Sequence, residues 1–146
     1  MKIVIRKIQY INEIEVVINC ADENKEVNKI VSALNSIYTK IQGRGENELF
    51  QIDVNEILYI ESVDRKTFVY SETAVYETEK RIYELEEFLK HCSFFRASKS
   101  TIVNLKRVKS LRPEIGVRLL LTMDNDEKII VSRQYSSIIK QTLGVN

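Results

Sequence analysis

Three short polar segments of the 146-residue chain carry the side chains with the clearest chemistry: residues 64–67, 96–100 and 132–134. Each segment borders a patterned apolar element and combines a long cation with a small hydroxyl-bearing residue. Arginine and lysine can reach guanine O6 and N7 in the major groove of DNA, while serine and threonine hydroxyls bind phosphate oxygens. Ser132 stands where a helix would begin, and the free N–H groups of a helix start also suit a phosphate. The three segments are therefore typical of a DNA-contacting surface, although three ordinary polar turns would look the same.

Charge is distributed unevenly along the chain, although the formal net charge is only +1. Residues 46–92 carry 5 basic and 12 acidic side chains, whereas residues 93–146 carry 10 basic and 4 acidic ones. A basic region favours a polyanionic partner, because each neutralised phosphate releases counterions. The alternative is that charged strand faces provide solubility and pair with acidic side chains across the sheet. Seven basic residues lie within 96–118: Arg96, Lys99, Lys106, Arg107, Lys109, Arg112 and Arg118. Side chains alternate between the two faces of a strand, so the basic residues at 106–112 cannot all face DNA. At most one face, carrying for example Lys106 or Lys109, could do so.

The other reactive residue types form no recognisable catalytic or metal-binding pattern. The sequence contains two cysteines, Cys20 and Cys92, and one histidine, His91, which argues against a disulfide framework and a Cys/His zinc site. His91 and Cys92 are adjacent, and neighbours along a helix or strand do not face each other for proton transfer. The acidic residues at 124–127 lack the spacing of a calcium-binding loop and suit a hairpin turn. We therefore predict no catalytic residues, no metal and no cofactor.

From Phe50 onward the periodicity predicts mostly short β-strands. Alternating or β-branched segments indicate strands at 50–54, 57–60, 67–71, 74–78, 101–105, 108–112, 117–123 and 127–131. Helical spacing predicts helices over about 78–91 and from Ser132 to Leu143. Short turns, rather than long helical crossovers, join the strands. The pattern predicts an α+β fold that is mainly antiparallel β.

The first 45 residues predict a β-β-α appendage. Residues 1–8 and 13–21 show strand patterns, and apolar residues from Val27 to Ile41 recur at helical spacing. Asp22 or Asn24 can cap that helix and Gly43 can end it. The polar, glycine-containing stretch 42–47 places a boundary between an appendage, 1–45, and a second domain, 46–146. The apolar helix face would pack on its own domain or form a dimer contact, and we favour the dimer contact.

Three motifs in this order make the stretch from Phe50 to Leu143 resemble the LytTR family of bacterial DNA-binding domains. The most specific motif runs from Phe94 to Leu105 (FFRASKSTIVNL) and is similar to the family pattern F-x-R-x-[HS]-[RK]-S-x-[IVL]-V-N. The segment ILYIES at 57–62 resembles an earlier family motif, and VSRQY at 131–135 resembles the last one.

The resemblance implies an elongated stack of small antiparallel sheets with flanking helices, whose loops enter successive major grooves. The base-reading positions of the family correspond to Thr67, Lys99 and Arg133. A histidine is common at the first position, so Arg65 or Lys66 could substitute for Thr67 as a base reader. Phosphate or supporting contacts are expected from Arg65, Lys66, Arg96, Ser98, Ser100, Ser132 and Gln134. Arg96 and Asn104 could instead hold loop and strand together.

The resemblance also implies a cytoplasmic transcription regulator that binds double-stranded DNA. About 45 residues precede the resembling stretch, too few for the receiver domain of many relatives, so the chain resembles a stand-alone regulator. We expect a homodimer, at least on DNA, with its protomers on direct repeats about one helical turn apart. In that subgroup a small membrane protein often restrains the regulator, and no small-molecule substrate is expected. The alternative is a β-rich ligand- or protein-sensing module without DNA binding.

Overall fold

Short strands make up most of the regular structure in the computed structural model, which describes residues 1–145. The strands are β1 (Lys40–Gly45), β2 (Glu48–Asp53), β3 (Ile57–Val63), β4 (Lys66–Ser71), β5 (Val75–Thr78), β6 (Phe94–Ser98), β7 (Thr101–Asn104), β8 (Val108–Glu114), β9 (Arg118–Met123) and β10 (Lys128–Val131). The helices are α1 (Lys25–Ser36), α2 (Ile82–Phe88) and α3 (Arg133–Thr142). Single 3₁₀ turns at Val54–Glu56 and Leu105–Arg107 lead into β3 and β8. None of these helices is long and apolar enough to cross a membrane.

The strands form two antiparallel sheets. The larger sheet has seven strands in the order β2-β1-β5-β4-β3-β7-β6, and the smaller has three in the order β10-β9-β8. Every strand pair is antiparallel, which short turns require for the pairs that are consecutive in the chain. The predicted α+β fold with mainly antiparallel strands is confirmed.

Both faces of the larger sheet are covered at its centre. On β7 the neighbours Ile102 and Val103 point to opposite faces, as strand alternation requires, and both are fully buried. Ile102 belongs to a cluster with α2, and Val103 belongs to a second cluster with the smaller sheet and α3. β3 lies in the middle, which explains the continuous apolar run at 57–60.

The N-terminal region departs from the predicted appendage. Residues 1–8 and 13–21 form no strands, so the two predicted strands are wrong for the chain taken alone. The predicted helix does form, and the Asn24 side chain caps it by accepting hydrogen bonds from the Glu26 and Val27 N–H groups at 3.0 and 3.1 Å.

The helix α1 ends at Ser36, earlier than predicted, and Gly43 lies in strand β1 instead of ending a helix. A Cβ atom at Gly43 would lie 2.7 Å from Ile52 Cδ1 and 2.8 Å from Tyr76 Cβ, so the glycine permits close strand packing. In the polar stretch 42–47, residues 42–45 are strand and residues 46–47 form the hairpin turn to β2, and the predicted boundary after residue 45 falls at that turn. β1 itself pairs with β5 inside the larger sheet.

Candidate nucleic-acid interface

The β3–β4 hairpin presents the first predicted segment at its tip, where two inner strands of the larger sheet end. Val63 pairs with Lys66, which leaves Asp64 and Arg65 as a two-residue loop with φ values of 50° and 67°. A type I′ hairpin turn needs positive φ at both of these positions. For a side chain as large as arginine this conformation costs on the order of 1 kcal/mol. The hairpin holds Arg65 and Lys66 in the solvent at its tip.

The β6–β7 hairpin presents the second segment beside the first. Ser98 pairs with Thr101, so Lys99 and Ser100 form the tip, and the Ser62 N–H at the end of β3 donates to the Ser100 carbonyl oxygen at 2.8 Å. β3 and β7 are neighbours in the sheet, so this hydrogen bond fixes the two hairpin tips side by side. Lys99 is exposed there.

The Arg96 side chain stabilises the tip of the β6–β7 hairpin. Its Nη1 donates to the carbonyl oxygens of Lys99 at 2.7 Å and Ser98 at 3.3 Å. Its Nε lies 3.3 Å from the Glu86 carboxylate, an ion-pair contact without the alignment of a hydrogen bond. The side chain is only 15% exposed, so Arg96 supports the loop and leaves little of its guanidinium for a ligand.

Asn104, which matches the final asparagine of the family pattern, is also structural. It is buried, and its Nδ2 donates to the Ile57 carbonyl oxygen at 2.9 Å. Its Oδ1 accepts from the Lys106 N–H at 3.1 Å. Asn104 therefore ties the end of β7 to the start of β3, which helps to keep the hairpin tips in register.

Helix α3 brings the third segment to the same place. The Ser132 N–H donates to the Ala97 carbonyl oxygen at 2.8 Å, which anchors the helix start on β6. Ser132 occupies the N-cap position, but its hydroxyl makes no capping hydrogen bond. Arg133 and Gln134 are exposed on the first helical turn, where the positive end of the helix dipole also lies.

The β6–β7 hairpin and the start of α3, together with Arg118 at the start of β9, surround a surface cleft of about 420 Å³. Its lining consists of polar and cationic residues from four elements: Ser98, Lys99, Ser100, Arg118, Ser132, Arg133 and Gln134. Two predicted base readers, Lys99 and Arg133, therefore meet in one cleft with four of the predicted supporting residues. Arg118 was counted in the basic region but was not predicted as a site residue, because only the β8–β9 hairpin carries it to the cleft.

Thr67, the third predicted base reader, is placed differently. It lies on β4 between Ser62 of β3 and Thr78 of β5, and it is only 5% exposed. A side chain this buried cannot reach a base edge without a change in the sheet. The exposed cations of this hairpin are Arg65 and Lys66, at and beside its tip.

The cations around the cleft differ in their pairing from those of the 106–112 run. Within residues 1–145, five cations at the hairpin tips and the cleft have no ion-pair partner: Arg65, Lys66, Lys99, Arg118 and Arg133. Arg107 instead pairs with Glu72 and, at 2.8 Å, with Asp124, while Lys109 pairs with Asp126 at 2.8 Å.

Lys106 is also engaged inside the molecule. Its Nζ donates to Ser36 Oγ at 3.3 Å, and partial burial lowers the pKa of its ammonium group. The basic residues at 106–112 are therefore paired or hydrogen-bonded within the protein. This agrees better with the alternative of pairing with acidic side chains than with a basic surface that faces DNA. Within the basic stretch 96–118, the two cationic side chains left without an ion-pair or hydrogen-bond partner among the described residues are Lys99 and Arg118, and both line the cleft.

Comparison with known proteins identifies this arrangement. Residues 47–144 match the family model of the LytTr DNA-binding domain. The chain belongs to the LytTR family. The LytTR domain accounts for both sheets except β1, and for helices α2 and α3.

Individual relatives agree with the family match. The solved structure of a LytTr DNA-binding domain from Bacillus cereus superposes with a TM-score of 0.68 at 29% identity, covering 73% of this chain and 97% of that one. The sensory transduction protein LytT of Bacillus anthracis is 28% identical over 100 residues, 68% of this chain but only 41% of its own length. An uncharacterized HTH-type transcriptional regulator of Staphylococcus aureus is 25% identical over 124 residues, 84% of each chain.

The LytTR fold of this chain offers loops, not a recognition helix. Strands separate α1, α2 and α3 from one another, so the described residues contain no helix-turn-helix pair. The two hairpin tips and the start of α3 each carry exposed cations: Arg65 and Lys66, Lys99, and Arg133.

Proposed function

We propose that this LytTR protein is a sequence-specific transcription regulator that reads duplex DNA with its two hairpin tips and the start of α3. The observation that carries the proposal is the gathering of unpaired cations around one cleft, while the cations of the 106–112 run are paired or engaged within the molecule. A cationic surface without internal partners attracts a polyanion, because no intramolecular ion pair must be broken on binding.

Within that surface we assign base reading to Lys99 and Arg133. Both are long, exposed donors, and each projects from a backbone segment that hydrogen bonds hold in place. A rigid support of this kind limits the entropy that a long side chain loses on binding. At the first hairpin the exposed Arg65 or Lys66 takes the role that the resemblance assigned to Thr67.

The hydroxyls and Arg118 suit the phosphate backbone. Ser98, Ser100 and Ser132 line the cleft between the cations, and Ser132 leaves the α3 N-terminus without a side-chain cap. Hydroxyls, arginine and helix N-termini together are the usual phosphate contacts of DNA-binding proteins. These contacts would fix the register in which Lys99 and Arg133 meet the bases.

The family resemblance, together with the common cleft of the second hairpin tip and the α3 start, favours binding along one side of the duplex. Two protomers on direct repeats, about 34–36 Å apart, would place equivalent loops in major grooves one helical turn apart. A dimer on DNA follows from this arrangement even if the protomers do not touch elsewhere.

Selection of bound duplexes from a random pool tests the proposal. We expect the wild-type protein to enrich one motif, and Arg133→Ala to bind that motif more weakly by roughly 1–3 kcal/mol while relaxing preference at one base position. The matched control is Arg112→Ala, which removes an exposed arginine that already contacts Glu114 at 3.1 Å. An unchanged base profile for Arg133→Ala would remove Arg133 from the reading role, and absence of any enriched motif would contradict the proposal itself.

A further inference from the structure

The turn at the tip of the β6–β7 hairpin is not one of the types that stabilise a hairpin by themselves. Its loop has two residues, Lys99 and Ser100, and neither has a positive φ. The favoured two-residue hairpin turns need positive φ at one or both positions, because other turns splay the strands. The β3–β4 hairpin does have such a turn, at Asp64 and Arg65. The second tip therefore depends more strongly on contacts from outside its turn.

A register shift beside this tip makes backbone carbonyl groups available for such contacts. The pairing of β6 with β7 shifts by one residue between Arg96 and Ser98, so Ala97 is the extra residue of a bulge. The Ala97 carbonyl oxygen accepts from the Ser132 N–H at the start of α3. The next two carbonyl oxygens, those of Ser98 and Lys99, accept from Arg96 Nη1 at 3.3 and 2.7 Å. The guanidinium group thus binds the two peptide groups that lead into the loop.

Glu86 on α2 supplies the negative charge beside this guanidinium. It is the one carboxylate within ion-pair distance of Arg96 among residues 1–145, with 3.3 Å between the carboxylate and Arg96 Nε. A largely buried charge is costly unless it is paired. Without the carboxylate, the guanidinium would gain hydration by turning toward the solvent, and it would then release both carbonyl groups of the loop.

The hydrophobic core fixes Glu86 relative to β6. Leu85, its neighbour on α2, is fully buried in the cluster that contains Ile102. Ile102 pairs with Arg96 across β7 and β6, and residues that pair directly lie on the same face of a sheet. Glu86 therefore contacts Arg96 from a helix that carries none of the predicted DNA contacts.

We propose that Glu86 is a positioning residue for base reading by Lys99 and acts through Arg96. The inference rests on the proposed function, because that function assigns Lys99 to the bases. Holding the backbone of the tip limits the directions in which the lysine side chain projects, and so favours one base over the others. A purely electrostatic role of Glu86 would act differently, since removing an acidic charge near a polyanion strengthens binding to every duplex.

Duplex selection with the full-length chain tests the proposal by comparing Glu86→Ala with Glu87→Ala. Glu87 is the matched control, because it is the next residue on α2 and its carboxylate pairs with Lys90 instead. We expect Glu86→Ala to lower base preference about threefold or more at the position that Lys99→Ala relaxes, and at no other position. Glu86→Gln should retain part of that preference, because its amide oxygen still accepts from Arg96. Glu87→Ala should give the wild-type profile.

Nuclear magnetic resonance relaxation without DNA tests the same inference independently of base reading. The N–H groups of Lys99 and Ser100 belong to the two peptide groups whose carbonyl oxygens Arg96 binds. Their order parameters should be about 0.85 in the wild type and below about 0.6 in Glu86→Ala. The N–H of Arg65 should stay rigid in both proteins, because its hairpin has a favoured turn.

A Glu86→Ala protein with a rigid second tip would overturn the inference. So would a base profile equal to that of the wild type, a loss of preference spread evenly over all positions, or stronger binding to every duplex as the sole effect. If the wild-type protein enriches no motif, the proposed function fails, and the relaxation measurement alone then decides whether Glu86 holds the tip.

Discussion

The salt dependence of DNA binding should separate the free cations of the cleft from the paired cations of the 106–112 run. Arg118 lines the cleft without an ion-pair partner among the described residues, whereas Lys109 contacts Asp126 at 2.8 Å. We expect Arg118→Ala to weaken binding to all duplexes alike and to reduce the salt slope. Lys109→Ala should leave that slope unchanged, because its charge is already neutralised within the protein.

The size of the effect follows from counterion release. Each phosphate contact contributes about −0.9 to the slope of log affinity against log salt, so five free cations give at most about −4.5 per protomer. Without the contact of Arg118, the slope becomes shallower by about 0.9. A fourfold rise in salt concentration should therefore weaken the variant about 3.5-fold less than the wild type.

Fluorescence anisotropy with a labelled duplex of the selected motif, at several salt concentrations, measures both slopes. Circular dichroism of each variant establishes that the fold is retained. If Lys109→Ala lowers the slope as much as Arg118→Ala does, the assignment of the DNA surface from ion pairing is wrong. If neither variant moves the slope, the cleft does not contact phosphate.

Three further substitutions test the structural assignments. Thr67→Val should leave the base profile unchanged in the duplex selection, because Thr67 is buried within β4 and does not reach DNA; a changed profile would restore it as a reader. Gly43→Ala should lower the free energy of unfolding by roughly 1–3 kcal/mol in urea, since the added methyl group meets Tyr76 Cβ at 2.8 Å; an unchanged midpoint would show that β1 can shift. Burial and the nearby Glu127 carboxylate raise the pKa of Tyr59 above its ordinary value of 10, so the folded state holds the phenol proton more tightly. Stability should therefore decline as pH rises above about 10, and Tyr59→Phe should flatten that decline; identical alkaline unfolding curves would contradict it.

Local signals were sufficient where neighbouring residues carry the structural information. A polar turn after Val63, a strand at 57–60 and a cap of α1 by Asp22 or Asn24 were predicted, because each depends on side chains within a few residues. The structure places the turn at Asp64–Arg65 and assigns the cap to Asn24. The three polar segments were also recognisable, since their motifs are continuous in sequence.

Predictions from local sequence failed where one local pattern is compatible with two structures. Gly43 can end a helix or allow strands to approach closely, and only the nearby Tyr76 on β5 selects the second role. The segments at 1–8 and 13–21 have strand propensity, but a strand forms only where another strand supplies hydrogen bonds, and none does so in the single chain.

The sequence alone determined the family, the antiparallel character of the fold and the residue types at the proposed DNA-reading positions, because motif order and side-chain period are properties of the chain itself. The tertiary structure decided which cations remain free. Arg118 reaches the cleft and Arg107 is neutralised by Glu72 and Asp124, although both arginines lie in the same basic stretch of sequence. Pairing between distant charges depends on sheet register, and register is set by the packing of the whole domain.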